Sequence, residues 1–493
     1  MKQVTVKALS EQLGVAFGTS GVRGLVKDLT PELCFAFVRS FLQEVCPHST
    51  TVAVGIDLRL SSPNIAKACL AAIEASGAEA IYCGALPTPA LAFYAMQNTM
   101  PAVMITGSHI PFDRNGIKFY RPDGEISKAD EAAIMGGDVS IPTDLAQQVE
   151  QAQLPAVNNT ATELFKTRYT SLFPADMLQG KRIGVYEHSS VARDLIKDLL
   201  IHFGAEVVSL ERTETFVPID TEAVSEEDKQ KGLDWSKQHN LDAIVSTDGD
   251  GDRPLISDEQ GCWLRGDILG VLCANYLNAT HVAAPVNVNT VLELEGNKQT
   301  PARISLRTKI GSPYVIAGME QLEQEARNTG LTAFSVVGYE ANGGFLVGSD
   351  MQVNNQTLHL LPTRDSVLPI LIVLAMSHQQ QRAISLLSAE FAERYTASDR
   401  IKDIPTETSK QLIADLKASK AKQAELLDTI AEQDETLKVV SIDETDGLRM
   451  KLNNSDIVHL RPSGNAPELR CYVESGESSR TAELVEKILL NAC

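Results

Sequence analysis

The strongest constraint in this sequence is a strand–helix–strand plan that recurs with the same punctuation. Residues 52–56 (Val-Ala-Val-Gly-Ile) read as a buried strand, a polar loop follows, and the apolar spacing over 62–76 predicts a helix. Gly77-Ala78-Glu79 stops that helix, and a second strand is expected at 80–83. The order then returns, with Arg182-Ile183-Gly184-Val185-Tyr186 as strand, 190–203 as helix, Gly204-Ala205-Glu206 as stop and 207–208 as strand. Identical marks in matching places point to internal duplication. A fainter third unit has a strand at 281–286, a helix near 313–328 and a strand at 334–337. Such alternation builds mostly parallel α/β sheets. At roughly 100–200 residues per domain, 493 residues make several domains rather than one.

The duplication also says where chemistry should lie, because open α/β sheets bind ligands beyond the carboxyl ends of their strands. The strand at 102–105 runs into Thr106-Gly107-Ser108-His109. The strand at 241–245 runs into Ser246-Thr247-Asp248-Gly249-Asp250-Gly251-Asp252-Arg253, and the third unit runs into Gly338-Tyr339-Glu340. The C-terminal part differs: 407–438 is charged and helical in pattern, and strands are expected at 438–442, 447–452, 456–460 and 469–474. That pattern is a small α+β domain. Segments 138–158 and 376–405 are expected as links between domains.

Against 64 Asp+Glu stand 44 Lys+Arg, a net charge of −20, which argues against nucleic acid and anionic membranes as partners. Overall charge does not decide the character of one pocket. The eight Cys include no CxxC pair and predict reduced thiols. The longest apolar run, 367–376, is too short to span a bilayer, and the start of the chain lacks a signal-peptide pattern. A cytoplasmic protein is expected.

Asp248, Asp250 and Asp252 alternate with glycines, and three such carboxylates repel unless a cation collects them; hard oxygen ligands suit Mg²⁺ or Ca²⁺. An EF-hand reading matches the alternate acids and Glu259, but Arg253 stands where that loop needs Gly, and a strand precedes it. Ser108 needs a base or a metal to act as a nucleophile, and taken alone its loop reads more readily as a turn. Arg461-Pro462-Ser463-Gly464-Asn465-Ala466-Pro467, followed by Arg470, has the chemistry of an anion cradle, with a proline turn as the plainer alternative. The loop from Phe17 to Gly24, with Arg23, is also suited to an anion. Tyr339-Glu340-Ala341-Asn342-Gly343-Gly344 offers a carboxylate and an amide for sugar hydroxyls, or a hairpin turn.

Taken together, four of these loops, at 106–111, 248–253, 338–344 and 461–470, resemble, in order and across nearly the whole chain, those of the α-D-phosphohexomutase superfamily, the phosphoglucomutase/phosphomannomutase group. The resemblance implies three similar α/β domains around a cleft plus a smaller C-terminal α+β domain. Expected boundaries are 1–150 for the phosphoserine-bearing domain, 151–262 for the metal-loop domain, 263–390 for the sugar-loop domain and 391–493 for the phosphate-binding domain. It implies Ser108 carried as phosphoserine and Mg²⁺ held by Asp248, Asp250, Asp252 and a phosphoryl oxygen on Ser108. Arg253 would steady the Ser108 phosphate, with His109 beside it and Arg23 and Lys118 as acid/base or phosphate-facing groups. Glu340 and Asn342 would grip sugar hydroxyls, helped by Lys309. Arg461, Ser463, Gly464, Asn465 and Arg470 would hold the phosphate that does not react.

The sequence departs from the family's usual pattern in places. Gly107 stands for Ala, Ile110 for Asn, Asn465-Ala466 for Thr-Glu, and Asn342 for the Ser of the sugar loop. The expected reaction is interconversion of hexose 1-phosphate and hexose 6-phosphate, of mannose and/or glucose, with hexose 1,6-bisphosphate as intermediate and activator. A phosphoglucosamine mutase and a non-catalytic sugar-phosphate binder are the alternatives, and a monomer or homodimer is expected.

Overall fold

The computed structural model describes all residues except 19–20, 392–393, 433–435, 464–466 and 492–493. The described residues form two compact units, one of residues 1–278 and 342–385, the other of residues 279–341 and 386–493.

In the first unit, the strand Thr51–Ile56 lies between two parallel neighbours, Glu79–Ala85 and Ala102–Ile105. Arg114–Arg121 then runs antiparallel to Ala102–Ile105, and Val22–Leu25 antiparallel to Arg114–Arg121. The second sheet repeats the plan. Arg182–Tyr186 lies between parallel Glu206–Leu210 and Ala243–Thr247, and Pro254–Ile256 returns antiparallel beside the latter. In the other unit, His281–Pro285 lies between parallel Ile304–Thr308 and Val336–Tyr339. All three repeats thus share one order of parallel strands, second–first–third.

The shared tripeptide has a conformational cause. Gly77 (φ 77°) and Gly204 (φ 90°) adopt the left-handed backbone that turns the chain out of the helices Ser62–Ala75 and Arg193–His202. That conformation costs glycine nothing sterically. In the third repeat the strand Ile304–Thr308 and the short helix Val291–Asn297 went unrecognised in the sequence, where the helix near 313–328 is found as Ser312–Asn328.

The C-terminal part is a five-stranded antiparallel sheet in the order Tyr395–Ile401, Leu469–Ser475, Ile457–Pro462, Leu448–Leu452, Val439–Asp443. Leu448, Met450, Leu452, Val458, Leu460, Cys471 and Val473 form one core with Ile413 and Leu416 of the helix Thr406–Ala418 and with Leu484 and Ile488 of Ser478–Asn491. The stretch 407–438, charged and helical in pattern, holds two helices among the described residues, Thr406–Ala418 and Lys420–Asp428. Ser419 separates them in extended backbone (φ −131°, ψ 109°), its hydroxyl accepting from Lys422 N.

Both segments expected as links carry structure. Within 138–158, Asp138–Ile141 pairs antiparallel with Lys2–Thr5, and Leu145–Gln151 is a helix whose Leu145 and Val149 join the first core. Within 376–405, Ile384–Ala389 is helical and Tyr395–Ile401 is an edge strand of the last sheet. Their Gln, Asn and Pro content hid edge elements that need only half of their side chains apolar.

The apolar run at 367–376 lies in the helix Val367–Gln380, which is buried from Val367 to Ser377 and is a core helix. Among the described residues no helix is long and apolar enough to cross a membrane. The described cysteines are all free, and only Cys262 is exposed. Cys493 lies outside the described residues.

Candidate active site

Ser108 follows the strand Ala102–Ile105, and Thr106 N still bonds across to Gly116 O at 3.0 Å. The chain then turns so tightly that Ser108 takes a left-handed conformation, φ 52°. Its amide donates to Thr106 Oγ1 at 2.8 Å, and its hydroxyl donates to Asp248 Oδ2 at 2.8 Å. Asp248 opens the six-residue loop joining Ala243–Thr247 to Pro254–Ile256, so the equivalent loops of the first two repeats meet here. The acidic loop is closed by Asp248 itself. Its amide donates to Arg253 O, and its Oδ1 accepts from the amides of Asp252 and Arg253, each at 3.1 Å.

Ligand oxygens of Asp248, Asp250 and Asp252 all lie within 4.8 Å of one another, and all three residues are buried. Among the described residues Asp250 Oδ1 and Asp252 Oδ1 have no hydrogen-bond partner, an arrangement that is costly for a buried carboxylate and suits a hard divalent cation. The residues present therefore fit Mg²⁺.

Four cationic side chains answer these carboxylates. Lys118 Nζ lies 2.6 Å from Asp250 Oδ2 and 2.7 Å from Asp252 Oδ2. Arg364 reaches the same Asp252 Oδ2 through Nη2 at 3.0 Å. Arg253 Nε lies 3.7 Å from Asp252 Oδ1 and 3.9 Å from Asp248 Oδ2. Arg23 joins them from the sheet. Because Arg23 pairs with Gly116 across the ladder, it shares a sheet face with Lys118 two residues on.

The electrostatics separate the three aspartates. Burial, with repulsion from Asp250 and Asp252, holds the Asp248 carboxyl well above the usual range. Burial also opposes ionisation of Asp252, but Arg364 and Lys118 outweigh it and hold that carboxyl below its ordinary value. Asp250 is likewise held low, with Lys118 overcoming burial and the charge on Asp252. For Lys118, burial favours the neutral amine, yet Asp250 and Asp252 keep it a cation and raise its pKa.

Arg23 is pushed down to about 10 by burial and by repulsion from Arg253 and Arg364. His109 is held neutral, well below its ordinary value, by burial and by Arg253 and Arg23. Arg253 Nη1 donates to its Nδ1 at 2.8 Å, which leaves the ring proton on Nε2.

The remaining expected residues fall as follows. Asn342 is buried, its Oδ1 accepts from Gly344 N at 2.9 Å, and its carbonyl accepts from Thr221 Oγ1 at 2.7 Å. Glu340 is buried in the other unit, where Lys309 Nζ lies 5.8 Å from the Tyr314 ring centre. In that unit Arg461 and Ser463 line a cavity of about 880 Å³ together with Lys410, Lys417 and Asp446. Arg461 Nε lies 2.8 Å from Asp446 Oδ2, and Arg470 Nη2 lies 3.3 Å from Glu468 Oε2. Gly464 and Asn465 lie outside the described residues.

Several residues at the site escaped the sequence reading. Thr88 Oγ1 donates to Asp250 Oδ2 at 2.8 Å from the start of the helix Thr88–Gln97. Arg364 comes from the strand Leu361–Asp365, far along the chain, and nothing near it in the sequence marks it. Arg59 and Asp57 underlie the Ser108 loop. Arg59 Nη2 donates to Ser108 O at 2.9 Å and Ile110 O at 2.6 Å, and Nη1 to Pro111 O at 2.8 Å and Arg114 O at 2.9 Å. These two did carry a signal, since they leave the carboxyl end of the strand Thr51–Ile56.

Comparison with known proteins places this geometry. The chain matches four consecutive families of the phosphoglucomutase/phosphomannomutase enzymes. Alpha/beta/alpha domains I, II and III match over 14–137, 166–261 and 265–395, and the C-terminal domain over 405–490. It is 48% identical over 480 residues to a phosphomannomutase of Salmonella muenchen, covering 97% of this chain and 95% of that one. It is 42% identical over 480 residues to a phosphomannomutase of Sinorhizobium fredii, covering 96% of this chain and 98% of the other. A crystal structure of a phosphoglucomutase/phosphomannomutase family protein from Burkholderia thailandensis shares the fold. It has a TM-score of 0.69 at 18% identity over 96% of both chains. With four successive domain families and nearly full-length relatives in agreement, this chain belongs to the phosphoglucomutase/phosphomannomutase family and is a phosphohexomutase.

Proposed function

We propose that this chain interconverts the 1- and 6-phosphates of mannose and/or glucose in the cytoplasm, through a phosphorylated Ser108 and a hexose 1,6-bisphosphate. The observation that carries the reading is the Ser108 hydroxyl, 2.8 Å from Asp248 within a set of three buried carboxylates. Phosphoryl transfer asks chiefly for positioning and charge neutralisation, which is what surrounds Ser108. Mg²⁺ held by Asp248, Asp250 and Asp252 would supply Lewis-acid neutralisation of the transferring group.

The chain's own residues do the rest. Arg253, fixed by its bond to His109, faces the phosphoryl oxygens carried on Ser108. Arg23 and Lys118, on one sheet face, offset charge as the phosphoryl passes to the free hydroxyl of the sugar phosphate. The bisphosphate so formed turns and returns its other phosphoryl to Ser108, so no phosphate is gained or lost. Glu340, Asn342 and Lys309 would orient the sugar. Arg461, Ser463 and Arg470, with Gly464 and Asn465, would hold the phosphate that is not transferred.

Two relatives above 40% identity are phosphomannomutases, so mannose phosphates are the first substrates to test. The experiment is a coupled assay on mannose, glucose and glucosamine phosphates with a catalytic amount of the matching hexose 1,6-bisphosphate. Turnover of a hexose phosphate that Ser108→Ala abolishes is the expected result. Near-normal turnover by Ser108→Ala would overturn the nucleophile assignment.

A further inference from the structure

We propose that Phe216 is a positioning residue that wedges the Ser108 loop and the acidic loop into fixed register. Its side chain has no polar atom. Its ring instead occupies the point where the supports of both loops converge.

On one side it meets Arg59, whose guanidinium carbon lies 3.8 Å from the Phe216 ring centre. That guanidinium is the buried support on which the carbonyls of Ser108, Ile110, Pro111 and Arg114 all rest. Asp57 sets its angle, lying 3.3 Å from Arg59 Nε while also accepting from Gly107 N at 3.3 Å. A cation desolvated in this way is attracted to an aromatic face, so the ring fixes the guanidinium plane as well as filling space.

On the other side Phe216 meets the acidic loop at Gly249. A Cβ there would lie 2.9 Å from Phe216 Cε2 and 3.1 Å from Ser108 O. Gly249, the Ser108 carbonyl and the Phe216 ring thus share one contact point. The short approach of Asp248 to the Ser108 hydroxyl depends on that contact being kept.

The segment bearing Phe216 is itself anchored. Arg193 Nη1 donates to Thr213 O at 2.8 Å, Thr213 N to His188 O at 3.2 Å, and Val217 N to Ser189 Oγ at 2.8 Å. Phe216 is therefore an arm of the second repeat that reaches the support of the first repeat's loop.

The effect on turnover rests on the function proposed above; the effect on loop order does not. A displacement of about 1 Å at a reacting group can cost on the order of a hundredfold in rate. Phe216→Ala should therefore lower kcat by about tenfold or more with the sugar-phosphate KM changed by less than about twofold. Amide hydrogen exchange over residues 106–114 should quicken in the same variant. Phe216→Tyr keeps the ring and should restore both. Phe216→Leu keeps bulk without the aromatic face and should remain impaired, which serves if the alanine variant does not fold. Unchanged exchange in Phe216→Ala, unchanged kcat, or losses that Phe216→Tyr does not restore would each overturn the wedge. Absence of hexose-phosphate turnover in the unaltered protein would instead overturn the proposed function, and the exchange comparison would still decide the wedge.

Discussion

Lys118 and Arg364 converge on a single oxygen, Asp252 Oδ2, the ammonium at 2.7 Å and the guanidinium at 3.0 Å. Removing one cation leaves a buried carboxylate half neutralised, and breaking such a buried pair costs roughly 3–5 kcal/mol. Arg364→Met is expected to lower the melting midpoint and to reduce kcat/KM by about tenfold or more. Gly344 is part of the same arrangement, because a Cβ there would lie 2.6 Å from Arg364 Cδ. Gly344→Ala should therefore mimic Arg364→Met in the same two measurements. Wild-type kinetics in both variants would show Arg364 to be a bystander.

The proposed divalent-cation site gives a prediction of opposite sign. Lys118 bonds to Asp250 Oδ2 and Asp252 Oδ2, on the same two carboxylates whose Oδ1 atoms would face a cation, so ammonium and metal repel and compete for one negative charge. Lys118→Met should bind Mn²⁺ or Mg²⁺ more tightly by calorimetry while turning over more slowly. Asp250→Asn should bind more weakly than the unaltered protein. Chelator should remove activity and added Mg²⁺ restore it; full activity after exhaustive chelation would dismiss a metal role.

Arg59 accounts for the glycine at position 107. A Cβ at 107 would lie 2.6 Å from the guanidinium carbon of Arg59, which is held by four carbonyls and cannot retreat. Gly107→Ala should lower stability by about 1–3 kcal/mol, as overpacking does. Urea unfolding measures this, and an unchanged midpoint would mean that the loop yields easily.

His459 supplies a pH dependence. It is buried, its Nε2–H donates to the carbonyl of Asp446 at 2.5 Å, and Nδ1 has no hydrogen-bond partner among the described residues. Burial lowers its pKa to about 4, with Arg449 and Arg461 acting in the same direction. Since the folded value lies below the ordinary 6.5, the unfolded chain takes up a proton first as pH falls. Its stabilising contribution is complete above about pH 6.5 and declines by roughly 1.4 kcal/mol per pH unit until about pH 4. His459→Gln should flatten the fall in melting midpoint between pH 7 and pH 4. A parallel curve would refute the assignment.

The sequence revealed its parallel repeats because their strands are buried on both faces and their helices end in left-handed glycines such as Gly77 and Gly204. Edge elements such as Asp138–Ile141 were not legible, because a strand with one wet face resembles a polar linker. At the site, residues within one short loop, such as the three aspartates, announce a cation by mutual repulsion alone. Thr88 and Arg364 reach Asp250 and Asp252 from 162 and 112 positions away, and only folding brings them there. Lys118 was visible as a cation near Ser108, but its pairing with Asp250 and Asp252 belongs to the folded chain.

The backbone at Ser108 limits which alcohol can serve there. With φ at 52°, the position tolerates an unbranched Cβ far better than a branched one. Threonine carries the same hydroxyl and is often an acceptable substitute in chemistry that needs only an oxygen nucleophile. Here its methyl group would meet a turn already at the limit of what an L-residue adopts. Under the proposed function, the identity of the nucleophile is thus decided by chain geometry before any question of reactivity arises.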